Sequence, residues 1–184
     1  MDIVTTPFLG LFVLKPLRLE DGRGFFCENY SKRRLEEAGV YAEFVQDNLS
    51  LSKVSGTLRG LHFQRAPMAQ AKLVGILQGL ALDVVVDLRR SSQTFGKQFS
   101  YLLNPLEGHQ LFIPAGFAHG FVTLAPDTLF AYKVSNYYSP EHDAGIRFDD
   151  PSLRVDWGSS AEQFIISERD RALPSFDPTL EYFP

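Results

Sequence analysis

The stretch Gly108-His-Gln-Leu-Phe-Ile-Pro114-Ala-Gly116-Phe-Ala-His119 decides how the chain reads. Its apolar centre makes a short strand. Pro114 and Gly116 bring the fixed and the permissive backbone that a tight turn requires, and His119 opens the return strand with its ring free to point inward. Outward from this turn the same pattern repeats. Strand-like runs occur at Glu43–Leu51, Gly56–Gln64, Lys72–Leu77, Leu82–Leu88, Lys97–Leu103, His109–Ile113, His119–Thr123 and Thr128–Val134, preceded by Leu11–Leu14 and Phe25–Tyr30. Gly, Pro, Asn or Ser punctuates them, and no helix-length periodic segment intervenes, so the pattern predicts an antiparallel sandwich or barrel and argues against βαβ order. Short helices are expected at Ser31–Gly39, capped by Ser31 and stopped by Gly39, and at Ser167–Ala172, with a helical turn from Pro140. The expected organisation is a single, mainly all-β domain over residues 1–184, with a β-barrel core about 43–134 and flanking N- and C-terminal segments.

Composition supports this reading. Sixteen Phe and seven Tyr among 184 residues favour strands. No run approaches the roughly 20 apolar residues that span a bilayer. Met1-Asp2-Ile3-Val4 shows no basic segment before an apolar one, so no signal peptide is expected. The single Cys27 forbids an intrachain disulfide and fits a reducing cytosol, giving a cytoplasmic expectation. A net charge of −4 argues against a general nucleic-acid binder, so any anionic ligand needs a local basic pocket.

The spacing G-x5-P-x-G-x2-H from Gly108 to His119 resembles the second motif of the cupin superfamily, which implies a jelly-roll β-barrel. The first cupin motif holds a metal with a His-x-His pair and a following Glu. Here the matching stretch is Gly60-Leu-His62-Phe-Gln64, with Gln64 in place of the second His. His62 and His119 without a well-placed carboxylate or thiol make a poor metal site, so no metal is expected and proton chemistry is.

Further segments resemble the dTDP-4-dehydrorhamnose 3,5-epimerase family. They are Gly22-Arg-Gly-Phe-Phe26, Phe44-Val-Gln-Asp-Asn48, Leu58-Arg-Gly-Leu-His62, Ala71-Lys-Leu-Val74, Asp83-Val-Val-Val-Asp-Leu-Arg-Arg90 and Thr94-Phe-Gly-Lys97. Then come Ile113-Pro-Ala-Gly-Phe-Ala-His-Gly-Phe121, Tyr132-Lys133, Tyr137-Tyr-Ser-Pro-Glu-His142 and Ser167-Glu-Arg-Asp170. The resemblance implies a homodimeric barrel that acts on a nucleotide-linked 4-keto-6-deoxy sugar and uses no cofactor.

That chemistry sets requirements. The C4 ketone acidifies C3–H and C5–H, so an epimerase needs a base on one face, an acid on the other and a positive group for the enolate. A histidine side chain is near its pKa at neutral pH, so His62 suits the base; the resemblance gives it Asp170 as a partner. Tyr132 keeps its proton at neutral pH and suits the acid, and Lys72 suits the enolate. His119 and Asp83 are expected in the same cavity, whereas Asp87, with Arg89 and Arg90, is expected in water at a strand exit. The resemblance implies that Arg59 and Arg169 meet the diphosphate, that Arg23 reaches over from a partner subunit with Phe26 and Glu28 near the nucleotide, that Gln46 and Asn48 hold base or phosphate, that Tyr138 stacks on thymine and that Asp143 contacts substrate. Simple alternation puts Arg59 and His62 on opposite strand faces unless Gly60 introduces a bulge. Arg169 stands where the family most often has Lys, and Gly75 where a larger residue is usual. Double epimerisation, epimerisation at one carbon only, and a non-catalytic sugar-nucleotide binder all remain open at this point.

Overall fold

The computed structural model describes residues 1–158 and 163–184. Its strands form two main antiparallel sheets. One has six strands: β1 (Asp2–Thr5), β2 (Phe12–Lys15), β10 (Gln110–Ile113), β7 (Lys72–Gln78), β12 (Thr128–Val134) and β5 (Gln46–Ser52), in that spatial order. The other has five: β13 (Asp143–Gly145), β6 (Leu58–Gln64), β11 (Phe117–Thr123), β8 (Ala81–Asp87) and β9 (Gln98–Leu103). A separate hairpin pairs β3 (Arg18–Asp21) with β4 (Gly24–Cys27). This is the cupin-type jelly roll expected from the sequence. β10 and β11 are the two strands on either side of the Pro114–Gly116 turn, and they run in different sheets.

The inner faces of the sheets meet through Phe8, Leu11, Val13, Val74, Ile76, Val85, Leu111, Ile113, Phe117, Phe121 and Phe130. The outer face of the five-stranded sheet is covered as well: Leu58, Leu61, Val84, Val86 and Val122 pack against Ile146, Phe148, Trp157, Phe164 and Phe183 of the C-terminal segment. With both faces covered, β8 is buried almost throughout rather than alternating. Helix α1 (Lys32–Glu37) drops Leu35 onto Leu14, Leu73 and Phe112 behind the other sheet. Ser31 caps it as expected, and Gly39 ends it at φ +80°.

The structure corrects several expectations. β1, β3 and β13 lie outside the expected strands, because each has only three or four residues and little apolar alternation. Sheet strands therefore come also from outside the 43–134 stretch. The run at Phe25–Tyr30 ends as a strand at Cys27. The helical turn expected from Pro140 is present, closed by His142 N–H and Asp143 N–H to the Ser139 carbonyl, and the chain then enters β13. Asp87 is not in water but fully buried. Burial pushes its pKa up, yet donors from Arg89 (Nε 2.9 Å, Nη2 2.8 Å), Ser92 (2.6 Å) and Thr94 (2.6 Å) outweigh this and hold it below the usual carboxylate value. Asp87 thus anchors the loop after β8.

Candidate active site

Between the sheets lies a cleft with two connected lobes, of about 260 and 390 Å³, that share His62, Lys72, Tyr132 and Arg169. Each sheet contributes one side of it. The five-stranded sheet presents Arg59 and His62 from β6 and His119 from β11; the six-stranded sheet presents Lys72 from β7, Phe130 and Tyr132 from β12, and Gln46, Asn48 and Ser50 from β5.

Arg59 and His62 reach the same cavity through a bulge. His119 pairs with His62 and Phe121 with Arg59, so two steps along β11 span three along β6. The extra residue reverses the alternation, and Gly60 makes this possible. Its φ is +117°, and a Cβ there would sit 2.5 Å from Gly120 Cα and 2.8 Å from the His119 carbonyl oxygen. Gly120 is needed from the other side, where a Cβ would meet the Arg59 carbonyl at 2.7 Å.

His62 Nε2 lies 2.7 Å from Asp170 Oδ1. Asp170 belongs to α2 (Glu168–Arg171); the Ser167 side chain caps its N–H at 3.1 Å, and Gly60 N–H donates to its other oxygen at 3.2 Å. Burial raises the Asp170 pKa, but the bonds from His62 and Gly60, with the nearby charges of His62 and Arg169, prevail and hold it below its ordinary value. An ionised Asp170 only accepts, so His62 Nε2 carries a proton toward it, and in the neutral form of the ring Nδ1 is the nitrogen with the lone pair. A second pair stands beside it: His119 Nε2 lies 2.8 Å from Oδ2 of the fully buried Asp83.

Lys72 is enclosed by the cleft. Desolvation lowers its pKa to about 8, against the pull of Asp83 and Asp143, so at neutral pH it is still mainly a cation. Burial pushes the Tyr132 phenol up, with Arg59 pulling the other way, so it retains its proton at neutral pH.

At the open side of the second lobe Asp143 joins two groups. It accepts from Tyr138 Oη at 2.9 Å and pairs with the Arg169 guanidinium. Gln46 Nε2 donates to Asn48 Oδ1 at 2.8 Å, and Gln46 Oε1 accepts from Tyr138 N–H at 3.4 Å. Gln64, which replaces the metal-binding His of the first motif, fastens loops instead. It is buried, donates to the carbonyls of Met68 and Tyr137, and accepts from Ser139 N–H. Among the described residues no group of three His, Cys, Asp or Glu side chains is placed to hold a metal ion.

Within one chain the structure does not bring Arg23, Phe26 or Glu28 to the cleft. Arg23 is 91% exposed on the β3–β4 hairpin and pairs with Asp21 at 2.6 Å; Phe26 is exposed on the same hairpin, and Glu28 pairs with Arg34 at 2.5 Å. Conversely, Ser50, Gln70, Gly120, Phe121, Phe130 and Ser167 line the cleft without having been singled out. Ser50 was within reach, being two and four residues beyond Asn48 and Gln46 on one strand face. Phe121 and Phe130 carried no signal among sixteen Phe.

A cupin-type barrel with a histidine–carboxylate pair, a half-buried lysine and a half-buried tyrosine around one cleft defines a protein equipped for proton transfer. The comparisons specify which. Residues 5–178 match the model of the dTDP-4-dehydrorhamnose 3,5-epimerase family, and the chain belongs to that family. The dTDP-4-dehydrorhamnose 3,5-epimerase of Sinorhizobium fredii is 44% identical over 163 residues, covering 89% of this chain and 83% of that protein. The crystal structure of the Bacillus anthracis enzyme with TDP and PPi bound superposes with a TM-score of 0.92 at 46% identity, covering 95% of this chain and 99% of that one. The Legionella pneumophila enzyme, in complex with dTDP-4-keto-L-rhamnose, gives 0.87 at 40% identity over 96% and 98% of the two chains. The chain is accordingly an isomerase of the epimerase type. No helix of the described residues is long and apolar enough to cross a membrane.

Proposed function

We propose that this chain epimerises C3 and C5 of dTDP-4-dehydro-6-deoxy-D-glucose to give dTDP-4-dehydro-L-rhamnose. One observation carries the reading: His62 and Tyr132 enter a single cleft from opposite sheets, with Lys72 beside them. A base and an acid on opposed walls are what inversion at carbon requires.

His62 Nδ1 takes the proton from the carbon next to the ketone, and Asp170 stabilises the imidazolium that forms. The C–H electrons move into the C4 carbonyl. The Lys72 ammonium stabilises the resulting enolate oxygen, and its charge counts for more here than in water because the cleft walls have a low dielectric. Tyr132 returns a proton to the opposite face. Arg59 and Arg169, both exposed at the rim, suit the diphosphate through paired hydrogen bonds. Tyr138 offers a face to the thymine. His119, whose Nε2 is held by Asp83, offers Nδ1 to accept from a sugar hydroxyl. Asp143 holds Arg169 and Tyr138 until ligand arrives, and Gln46 and Asn48 contact the nucleotide. No cofactor takes part in this scheme.

The working unit of this reading is a homodimer in the cytosol. Phe25, Phe26 and Leu19 on the hairpin, with Leu49, Leu51 and Leu77 on the outer face of the six-stranded sheet, are exposed in the single chain and form surfaces for a partner to cover. The hairpin would then carry Arg23, Phe26 and Glu28 to the neighbouring cleft. Incubation with dTDP-4-dehydro-6-deoxy-D-glucose, followed by NMR of the product, tests the assignment. L-rhamno configuration is expected; inversion at one carbon alone would make the chain a mono-epimerase, and unchanged sugar would leave only a binding role.

A further inference from the structure

The first lobe of the cleft is polar except at one end. Arg59 and Arg169 stand exposed at its rim, whereas Phe121 and Phe130 close it from the interior, 6% and 1% exposed. These two rings come from opposite sheets, β11 and β12, and stack across the gap with centroids 3.8 Å apart and planes 21° from parallel. They also belong to the inner core, packed with Val85, Ile76 and Leu111, so the floor is held from behind and does not yield easily to a polar group.

We propose that the Phe121–Phe130 stack is the specificity floor of the cleft, seating the C5 methyl group and selecting 6-deoxy sugars over their 6-hydroxyl counterparts. This rests on the sugar-nucleotide reading above. The sugar enters with its anomeric diphosphate at the arginine rim, so C4 and its neighbours, on the far side of the ring, go deepest. The methyl on C5 is the one apolar substituent of that ring, since the others are the hydroxyls, the ketone and the anomeric diphosphate. The stack is the apolar end of an otherwise polar lobe, and the two match. A 6-hydroxyl placed there loses its water and gains no partner from either ring. Ser50 pairs with Phe130 in register and brings a hydroxyl to the same lobe, which keeps the discrimination moderate. Adding a hydroxyl to a group in an apolar site lowers affinity by about 10- to 100-fold.

The test uses two inert ligands that differ in one atom, dTDP-6-deoxy-glucose and dTDP-glucose, so that no turnover intervenes. Calorimetric titration of the full-length protein is expected to give about 10-fold or greater preference for the 6-deoxy ligand. In Phe121→Leu, which keeps the site apolar but opens room for water, the preference narrows several-fold. Phe130→Leu is the second variant should the first fail to fold, and the wild-type ratio stands without either. Equal affinity of the wild type for the two ligands would overturn the floor while leaving the epimerase reading intact. Binding of neither would remove the sugar-nucleotide reading and the floor with it.

Discussion

Arg59 and His62 lie three residues apart on one strand yet face the same cleft, because the backbone at Gly60 takes up an extra residue against β11. The approach of Gly60 to Gly120 leaves no room for a side chain on either. Gly60→Ala forces the strands apart and strains a positive φ, at a cost on the order of 2–4 kcal/mol. Thermal unfolding should show a fall of roughly 5–15 °C, with loss of activity in whatever remains folded.

Asp170 lies 2.7 Å from His62 Nε2, and in the proposed scheme it keeps the ring in its working tautomer. Asp170→Asn removes the charge that stabilises the imidazolium and permits the wrong tautomer, so kcat should drop about 10²- to 10⁴-fold. The pKa of Asp170 is lowered in the folded state, so its contribution to stability is complete above the unfolded carboxyl value near 4 and is lost as pH falls through the folded one. Acid unfolding of Asp170→Asn, followed by circular dichroism, should show a shallower pH dependence than wild type below about pH 4.

Lys72 acts in the opposite sense. Its pKa of about 8 in the fold lies below that of a free lysine, so burying its charge costs stability at neutral pH, and the cost fades as pH rises through 8. Lys72→Met should therefore be more stable than wild type at pH 7, by about 1–3 kcal/mol, while losing about 10²-fold or more in kcat. In the wild type, kcat/KM should fall on an alkaline limb near pH 8 as the free enzyme loses this cation. An unchanged limb in Lys72→Met would assign it elsewhere.

Much of this was legible in the sequence because it rests on local patterns. The Pro114–Gly116 turn, the Ser31 cap and the punctuated strands follow from backbone preferences of single residues. Other features depend on contacts between distant segments. The His62–Asp170 bond joins residues 108 positions apart, and nothing in either local stretch requires the other; only the family resemblance joined them. Asp87 looked like a solvated strand end because its charge suggested water, while its donors lie in the following loop. Phe121 and Phe130 face each other from different sheets, a relationship set by the closure of the barrel.

Tyr132→Phe keeps the ring and removes the proton. Inversion should fall about 10²- to 10⁴-fold, whereas His62 still abstracts and returns protons on its own face. Solvent deuterium should thus enter the substrate without change of configuration, as read by NMR. Loss of exchange together with inversion would show that Tyr132 is needed for deprotonation as well.

The dimer reading has its own check. Arg23→Ala and His62→Ala homodimers should each be impaired. If the hairpin serves the neighbouring cleft, unfolding and refolding them together should restore activity in the mixed species, which has one cleft with both residues. Absence of recovery, with mixed dimers verified by mass, would confine Arg23 to its own chain.

The central claim is proton transfer at both carbons beside the ketone, and deuterium uptake tests it most directly. With dTDP-4-dehydro-6-deoxy-D-glucose in D2O, the wild type should label both C3 and C5, and His62→Ala should label neither above the uncatalysed rate. Labelling that persists at the wild-type rate in His62→Ala, or that is absent from both carbons in the wild type, would contradict the account.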